Sequence, residues 1–178
     1  MEKFTILPYT EVDGIRTVSD SDIKLLFERT QADGLDAIVF YEGTVTTPEQ
    51  FLSMARSDQC LFYILLEGAD TVGYMWLNRF ENHTARQHFC IFKEHWGRSI
   101  DIGRFTLKKL MHIPDETRVG GYLFDLLTGF VPAWNKRAIN FAVKCGGETH
   151  GVIPNAIWNH QAQKSEDAVF IYYTREGA

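Results

Sequence analysis

Arg98, with Gly97 before it and Gly103 and Arg104 after it, has the residue types that meet an anion. The segment Phe92-Lys-Glu-His-Trp-Gly-Arg-Ser-Ile-Asp-Ile-Gly-Arg104 reads as a strand end, a loop and a helix start. A helix start leaves backbone amides without intrahelical partners and carries the positive end of the helix dipole. A junction of this composition can therefore cradle a pyrophosphate. A second junction lies in the segment that opens at Gly129 and closes at Gly146. A strand ends there at Pro132 and a helix starts at Asn135. Ligands of open sheets bind at that strand edge. Asn135 is equally the residue of an ordinary helix cap.

Other chemistry is absent. The sequence has no Gly-x-Ser-x-Gly elbow, no phosphate loop ending in Gly-Lys-Ser/Thr, no Gly-x-Gly-x-x-Gly and no His-Glu-x-x-His. The six histidines, His83, His88, His95, His112, His150 and His160, lack metal-ligand spacing, so no metal site is expected. Cys60, Cys90 and Cys145 are odd in number, widely spaced and set in apolar stretches. They read as buried free thiols of a reducing cytoplasm.

The elements that must position these residues follow from hydrophobic periodicity and turn signals. Strands are expected over 4–9, 60–66, 71–80, 87–95, 122–131, 149–158 and 168–174. Helices are expected from the cap at Ser19–Asp22 to Gln31, and over 48–56, 102–111 and 135–145. Thr47 would cap the second helix, with Pro48 at its first position. The strands near 60–95 follow one another through short turns and form an antiparallel meander. A strand–helix–strand–helix–strand half comes after them. The fold class is therefore mixed α/β: a central, mostly antiparallel sheet flanked by helices, with residues 1–178 as one domain.

Composition agrees. Of 178 residues, 45% are hydrophobic and 23% charged, as in a globular chain rather than a disordered one. The net charge of −5 gives no basic excess for nucleic-acid binding. The start lacks a signal peptide's apolar run, and the longest clean apolar run, Leu61 to Leu66, is far short of a membrane span.

The element order and the two junctions resemble the GNAT superfamily of acetyl-CoA-dependent N-acetyltransferases. The family's pyrophosphate loop reads Arg/Gln-x-x-Gly-x-Gly/Ala, and Arg98-Ser-Ile-Asp101-Ile-Gly103 matches it at the first and last positions. Asp101 stands where the family has its middle Gly. In the later helix Asn135, Ala138 and Gly146 fall in the family register, while Ala142 occupies the position of a frequent Tyr acid and Gly146-Gly147 that of Gly-Phe. The Asn135–Ala142 stretch and Gly151-Val-Ile-Pro154 are similar to divergent phage and prophage members.

The resemblance implies acetyl-CoA as co-substrate, an amine acceptor of unidentified type and a monomer or homodimer. Phe92, Arg98, Ile100, Asp101, Ile102, Gly103, Arg104, Asn135 and Phe141 are the expected coenzyme contacts. Acyl transfer further asks for a base to take the amine's proton and a backbone amide for the oxyanion, the latter expected near Phe92 to Glu94. Strand alternation puts His88, Cys90, Phe92 and Glu94 on one face, which makes His88 the first candidate base and Glu94 the second. Tyr122, Tyr172 and Tyr173 are candidate donors to the leaving thiolate. The alternative reading is a catalytically degenerate GNAT-like binding or structural module, favoured by Asp101 and Ala142.

Overall fold

The structure, a computed structural model, describes residues 3–177. The strands are β1 (Phe4–Pro8), β2 (Glu11–Val12), β3 (Ile15–Arg16), β4 (Leu61–Glu67), β5 (Asp70–Glu81), β6 (Thr84–Ile91), β7 (Leu126–Pro132), β8 (Glu148–Asn159) and β9 (Lys164–Tyr173). The helices are α1 (Asp20–Ala32), α2 (Asp36–Val39), α3 (Pro48–Ala55), α4 (Ser99–Met111) and α5 (Lys136–Lys144), with a 3₁₀ turn at Lys93–Arg98. Seven strands form one sheet in the order β1-β4-β5-β6-β7-β9-β8, and β2 pairs with β3 alone. The expected mixed, mostly antiparallel sheet is present: β6 and β7 are parallel, while β1–β4, β4–β5 and β7–β9 are antiparallel.

The chain divides into two compact units. One contains the residues up to Asn78, His88–Trp96 and Trp158–Lys164; the other contains Arg79–Gln87, Gly97–Ile157 and the chain from Ser165 on. In the first, α1 begins where Ser19 accepts the Asp22 amide, and α3 where Thr47 accepts the Gln50 amide with Pro48 at the first turn. Phe51 of α3 is fully buried, 5.1–5.8 Å from the rings of Phe27, Phe40, Phe62 and Tyr74. Burying a side chain of that size stabilises by about 1.5–3 kcal/mol. The Tyr74 hydroxyl is hydrogen-bonded to Thr30 Oγ1 at 2.9 Å, which satisfies both groups in the core. Gly73 is required because a Cβ there would lie 2.2 Å from the Cys90 carbonyl oxygen.

In the second unit β6 runs parallel to β7 over Thr84↔Leu126 to Arg86↔Thr128, and β7 pairs with β9 from Leu127↔Tyr173 to Pro132↔Ala168. Ile102, Leu107, Leu110 and Met111 of α4 and Ala142 of α5 are buried. Almost every residue of β8, at the sheet edge, is exposed.

Two expected strands have different limits. The strand expected over 87–95 is β6, which starts at Thr84 and stops at Ile91. The chain then curls because the Trp96 indole donates to the Ile91 carbonyl and the Lys93 amide to Asp33. The strand expected over 122–131 begins only at Leu126. Tyr122 lies in the preceding loop, bridged to Pro114. The β2–β3 hairpin turns on Asp13 and Gly14, both at positive φ, and was not expected. No helix among the described residues is long and apolar enough to cross a membrane.

Candidate functional site

The first junction is a helix start, as expected, but it arrives by a 3₁₀ turn rather than an open loop. Helix α4 begins at Ser99 with Arg98 at the cap, and no side chain caps this end. Ile100 and the exposed Asp101 therefore lie in the first turn. A carboxylate there is favoured by the helix dipole. It also competes with a bound anion for that same field.

Gly103 does different work from the loop glycine that the motif suggests. It lies inside α4, where a Cβ would meet Cys145 Sγ at 2.5 Å and Phe141 Cζ at 2.7 Å. Its missing side chain lets α4 and α5 approach. Phe141 is thus a packing partner of Gly103 as well as a partly exposed aromatic. Ile102, 1% exposed, is a core residue whose side chain cannot touch a ligand.

Arg104 stays at the surface and donates from Nε to the Lys144 carbonyl at 2.9 Å. Together with Lys108 and Lys144 it lines an open groove of about 610 Å³ between α4 and α5, whose apolar wall includes Phe105 and Val143. Lys108 was not among the expected contacts. It stands four residues after Arg104 on one helix face, a spacing that carries the signal. Asn135 caps α5, its side chain accepting the Ala138 amide at 3.1 Å.

Phe92 is corrected. Its ring is 0% exposed in the first unit's core, with the Arg29 guanidinium 3.9 Å above it. Its amide donates to the Val72 carbonyl and its carbonyl accepts from the His95 amide. The Lys93 amide donates to Asp33 at 2.8 Å. The amides of Phe92 and Lys93 are therefore already committed and do not form the oxyanion hole expected there.

His88 and Glu94 do not share a strand face, because β6 ends before Glu94. Glu94 is exposed on the 3₁₀ turn, ion-paired with Arg29 and 3.0 Å from His95 Nε2. His88 remains on β6, partly buried, its ring stacked on Trp76 with centroids 4.5 Å apart and planes at 3°. Its Nε2 is 3.1 Å from Asn78 Oδ1. Trp76 and Asn78 were not singled out from the sequence. A two-residue turn at Asn82–His83 sets Asn78 opposite Gln87 rather than His88, so nothing in the spacing signals this contact.

The remaining candidates separate by burial. All three cysteines are free, Cys90 and Cys145 buried as expected and Cys60 only partly so, and desolvation pushes each thiol up to about 12. Burial also raises the Tyr173 phenol. The Tyr172 hydroxyl donates to Glu148 at 2.7 Å, which raises its pKa too. Tyr122 lies under the Arg175 guanidinium at 4.8 Å.

No protein-family model matches the chain. No curated protein matches it either. Among solved structures it is similar to spermidine N-acetyltransferase from Vibrio cholerae in complex with CoA and spermine, at 11% identity over 98% of this chain and 97% of that one, with a TM-score of 0.69. It is also similar to the microcin C7 self-immunity acetyltransferase in complex with acetyl-CoA and AMP, at 16% identity over 98% and 93% of the two chains, with a TM-score of 0.71. What the chain shares with these enzymes across nearly its whole length is their architecture: it has the GNAT acetyltransferase fold.

Proposed function

We propose that the protein is an acetyl-CoA-dependent N-acetyltransferase acting on an amine. The observation that carries this is the pair of parallel strands, β6 and β7, each followed by a helix, α4 and α5, within the GNAT fold. The start of α4, with Arg98 at its cap, receives the pyrophosphate. The cationic groove of Arg104, Lys108 and Lys144 receives the further phosphate of the coenzyme. Coenzyme A supplies the activated acyl group as its thioester. The chain's own part is to hold that thioester beside the amine, which makes the encounter intramolecular. His88 takes the amine's proton. A neutral imidazole can accept a proton through its ring nitrogen, which is the role of a general base here. The solved structures with spermine and with AMP bound hold ligands of very different shape on this fold, so the acceptor here is chosen by side chains peculiar to this chain.

The second reading, a module that binds acyl-CoA without turnover, is favoured by one arrangement. Ala142 is buried where the family often has its Tyr acid, and the amides of Phe92 and Lys93 are spent. The experiment that separates the two is release of coenzyme thiol from acetyl-CoA in the presence of a panel of polyamines, aminoacyl conjugates and N-terminal peptides. Amine-dependent release that falls on His88→Gln supports the enzyme. Tight acetyl-CoA binding with no release across the panel supports the module.

A further inference from the structure

We propose that Arg175 is a positioning residue for the cationic groove: it pins the turn after β9, Thr174–Gly177, so that this turn walls the groove beside the coenzyme's further phosphate. The proposal rests on the reading of that groove as a phosphate site. Every residue it uses lies in the second unit. The walls of the groove are unequal. Arg104 and Lys108 of α4 and Lys144 of α5 supply charge, and Phe105 and Val143 supply apolar surface. The remaining wall includes two glycines, Gly146 just past the cap of α5 and Gly177, which belongs to neither helix. Gly177 reaches the groove because the chain after β9 turns back. Its amide donates to the Thr174 carbonyl at 3.2 Å, which closes a β-turn. A Cβ on Gly177 would lie 3.0 Å from the Gly146 carbonyl oxygen, so the turn rests on Gly146 backbone against backbone. Gly146 itself is at φ 99°, which glycine adopts without strain.

Glu176 and Gly177 are exposed, and Arg175 anchors the turn. Its guanidinium donates to the Phe124 carbonyl and, at 2.7 Å, to Asp125 Oδ1, and lies 4.8 Å from the Tyr122 ring centroid. Arg118 donates to the same Asp125 and to the Tyr122 carbonyl, each at 3.1 Å, so the receiving segment is itself braced. One planar group on two acceptors fixes a direction as well as a distance. The effect on binding follows from electrostatics. A phosphate among Arg104, Lys108 and Lys144 in an open groove has water beside it, and that water screens each pairing. A wall held in place displaces part of the water and strengthens the pairings. Without its anchor the turn samples many conformations, and binding must then bear the entropy of ordering it.

The test measures the affinity of the full chain for coenzyme A and for dephospho-coenzyme A, which differ only in that phosphate. It compares wild type with Arg175→Ala, which removes the anchor, and with Gly177→Val, which keeps the anchor and pushes the turn off the Gly146 carbonyl. Amide hydrogen exchange at Gly177 is followed alongside. Wild type should bind coenzyme A more tightly than the dephospho form, and coenzyme A should slow the Gly177 exchange. Both variants should lose about fivefold in affinity for coenzyme A and little for the dephospho form. Arg175→Ala should also exchange Gly177 faster without ligand. Variants that weaken both ligands equally overturn the proposal, since a general loss of stability would do the same. Wild type that distinguishes the two ligands, with both variants distinguishing them equally well, overturns the wall alone. Wild type that binds both ligands equally overturns the phosphate reading of the groove and the wall's role with it.

Discussion

Replacing Gly103 with Ala tests whether this glycine serves helix packing or the ligand. The new methyl would sit 2.5 Å from Cys145 Sγ and 2.7 Å from Phe141 Cζ, where unstrained contacts need roughly 3.5–4.0 Å. Cys145 is buried and short, so it cannot swing away; the Phe141 ring is partly exposed and can tilt. Overpacking of this kind costs about 1–3 kcal/mol, against a gain of about 1 kcal/mol from replacing Gly inside a helix. The net expectation is a loss of about 1 kcal/mol, which in a chain of this size lowers Tm by about 2–4 °C. Urea unfolding measures it. Combining it with Cys145→Ala should give a double variant about 1 kcal/mol more stable than the sum of the single changes, because the closest clash is gone. The reasoning fails if Gly103→Ala is as stable as wild type while its affinity for acetyl-CoA falls, since Gly103 would then serve the ligand rather than the helix pair.

Four further outcomes are expected. Replacing Arg98 and Arg104 together with Ala should weaken acetyl-CoA binding and flatten its dependence on salt, as titration calorimetry at two ionic strengths would record. Asn135→Ala should cost about 1 kcal/mol of stability through the lost α5 cap, seen as a lower urea midpoint. Cys90 and Cys145, both buried and raised to about 12, should react with a thiol reagent at neutral pH only as fast as the protein opens, and the partly exposed Cys60 should react first. Asp125 accepts hydrogen bonds from Arg175 at 2.7 Å and Arg118 at 3.1 Å, which hold its carboxyl below the ordinary range. Its depressed folded pKa means that its stabilisation is present above about pH 4 and is lost as pH falls through the folded value. Tm measured against pH should therefore fall less steeply on the acid side in Asp125→Asn.

Local signals were legible wherever one side chain decides. Ser19, Thr47 and Pro48 announce α1 and α3, and Asn135 announces α5, because a cap is a contact three residues long. Hydrophobic patterning between short turns located β4 and β5. It failed at β6, where nothing in Phe92-Lys-Glu-His says that Asp33, sixty residues earlier, takes the Lys93 amide and turns the chain. Glu94 was placed on the wrong element for that reason. Gly103 was read as a loop glycine because motif spacing does not reveal which helix lies against it; Cys145 is forty-two residues away. Phe92 fell in a segment rich in polar residues, and only the arrival of Arg29 and Tyr74 makes it core. The Asn78–His88 contact had no signal in the sequence, because the register read from a turn at Asn82–His83 sets Asn78 opposite Gln87.

Melting the protein with and without acetyl-CoA tests the central claim most directly. A ligand at a hundred times its dissociation constant adds about 2.7 kcal/mol of stability, which for a chain of this length raises Tm by about 5–10 °C. The account predicts a rise of that size with acetyl-CoA and a much smaller one with dephospho-coenzyme A, which lacks the phosphate assigned to Arg104, Lys108 and Lys144. An unchanged Tm at millimolar acetyl-CoA would contradict it.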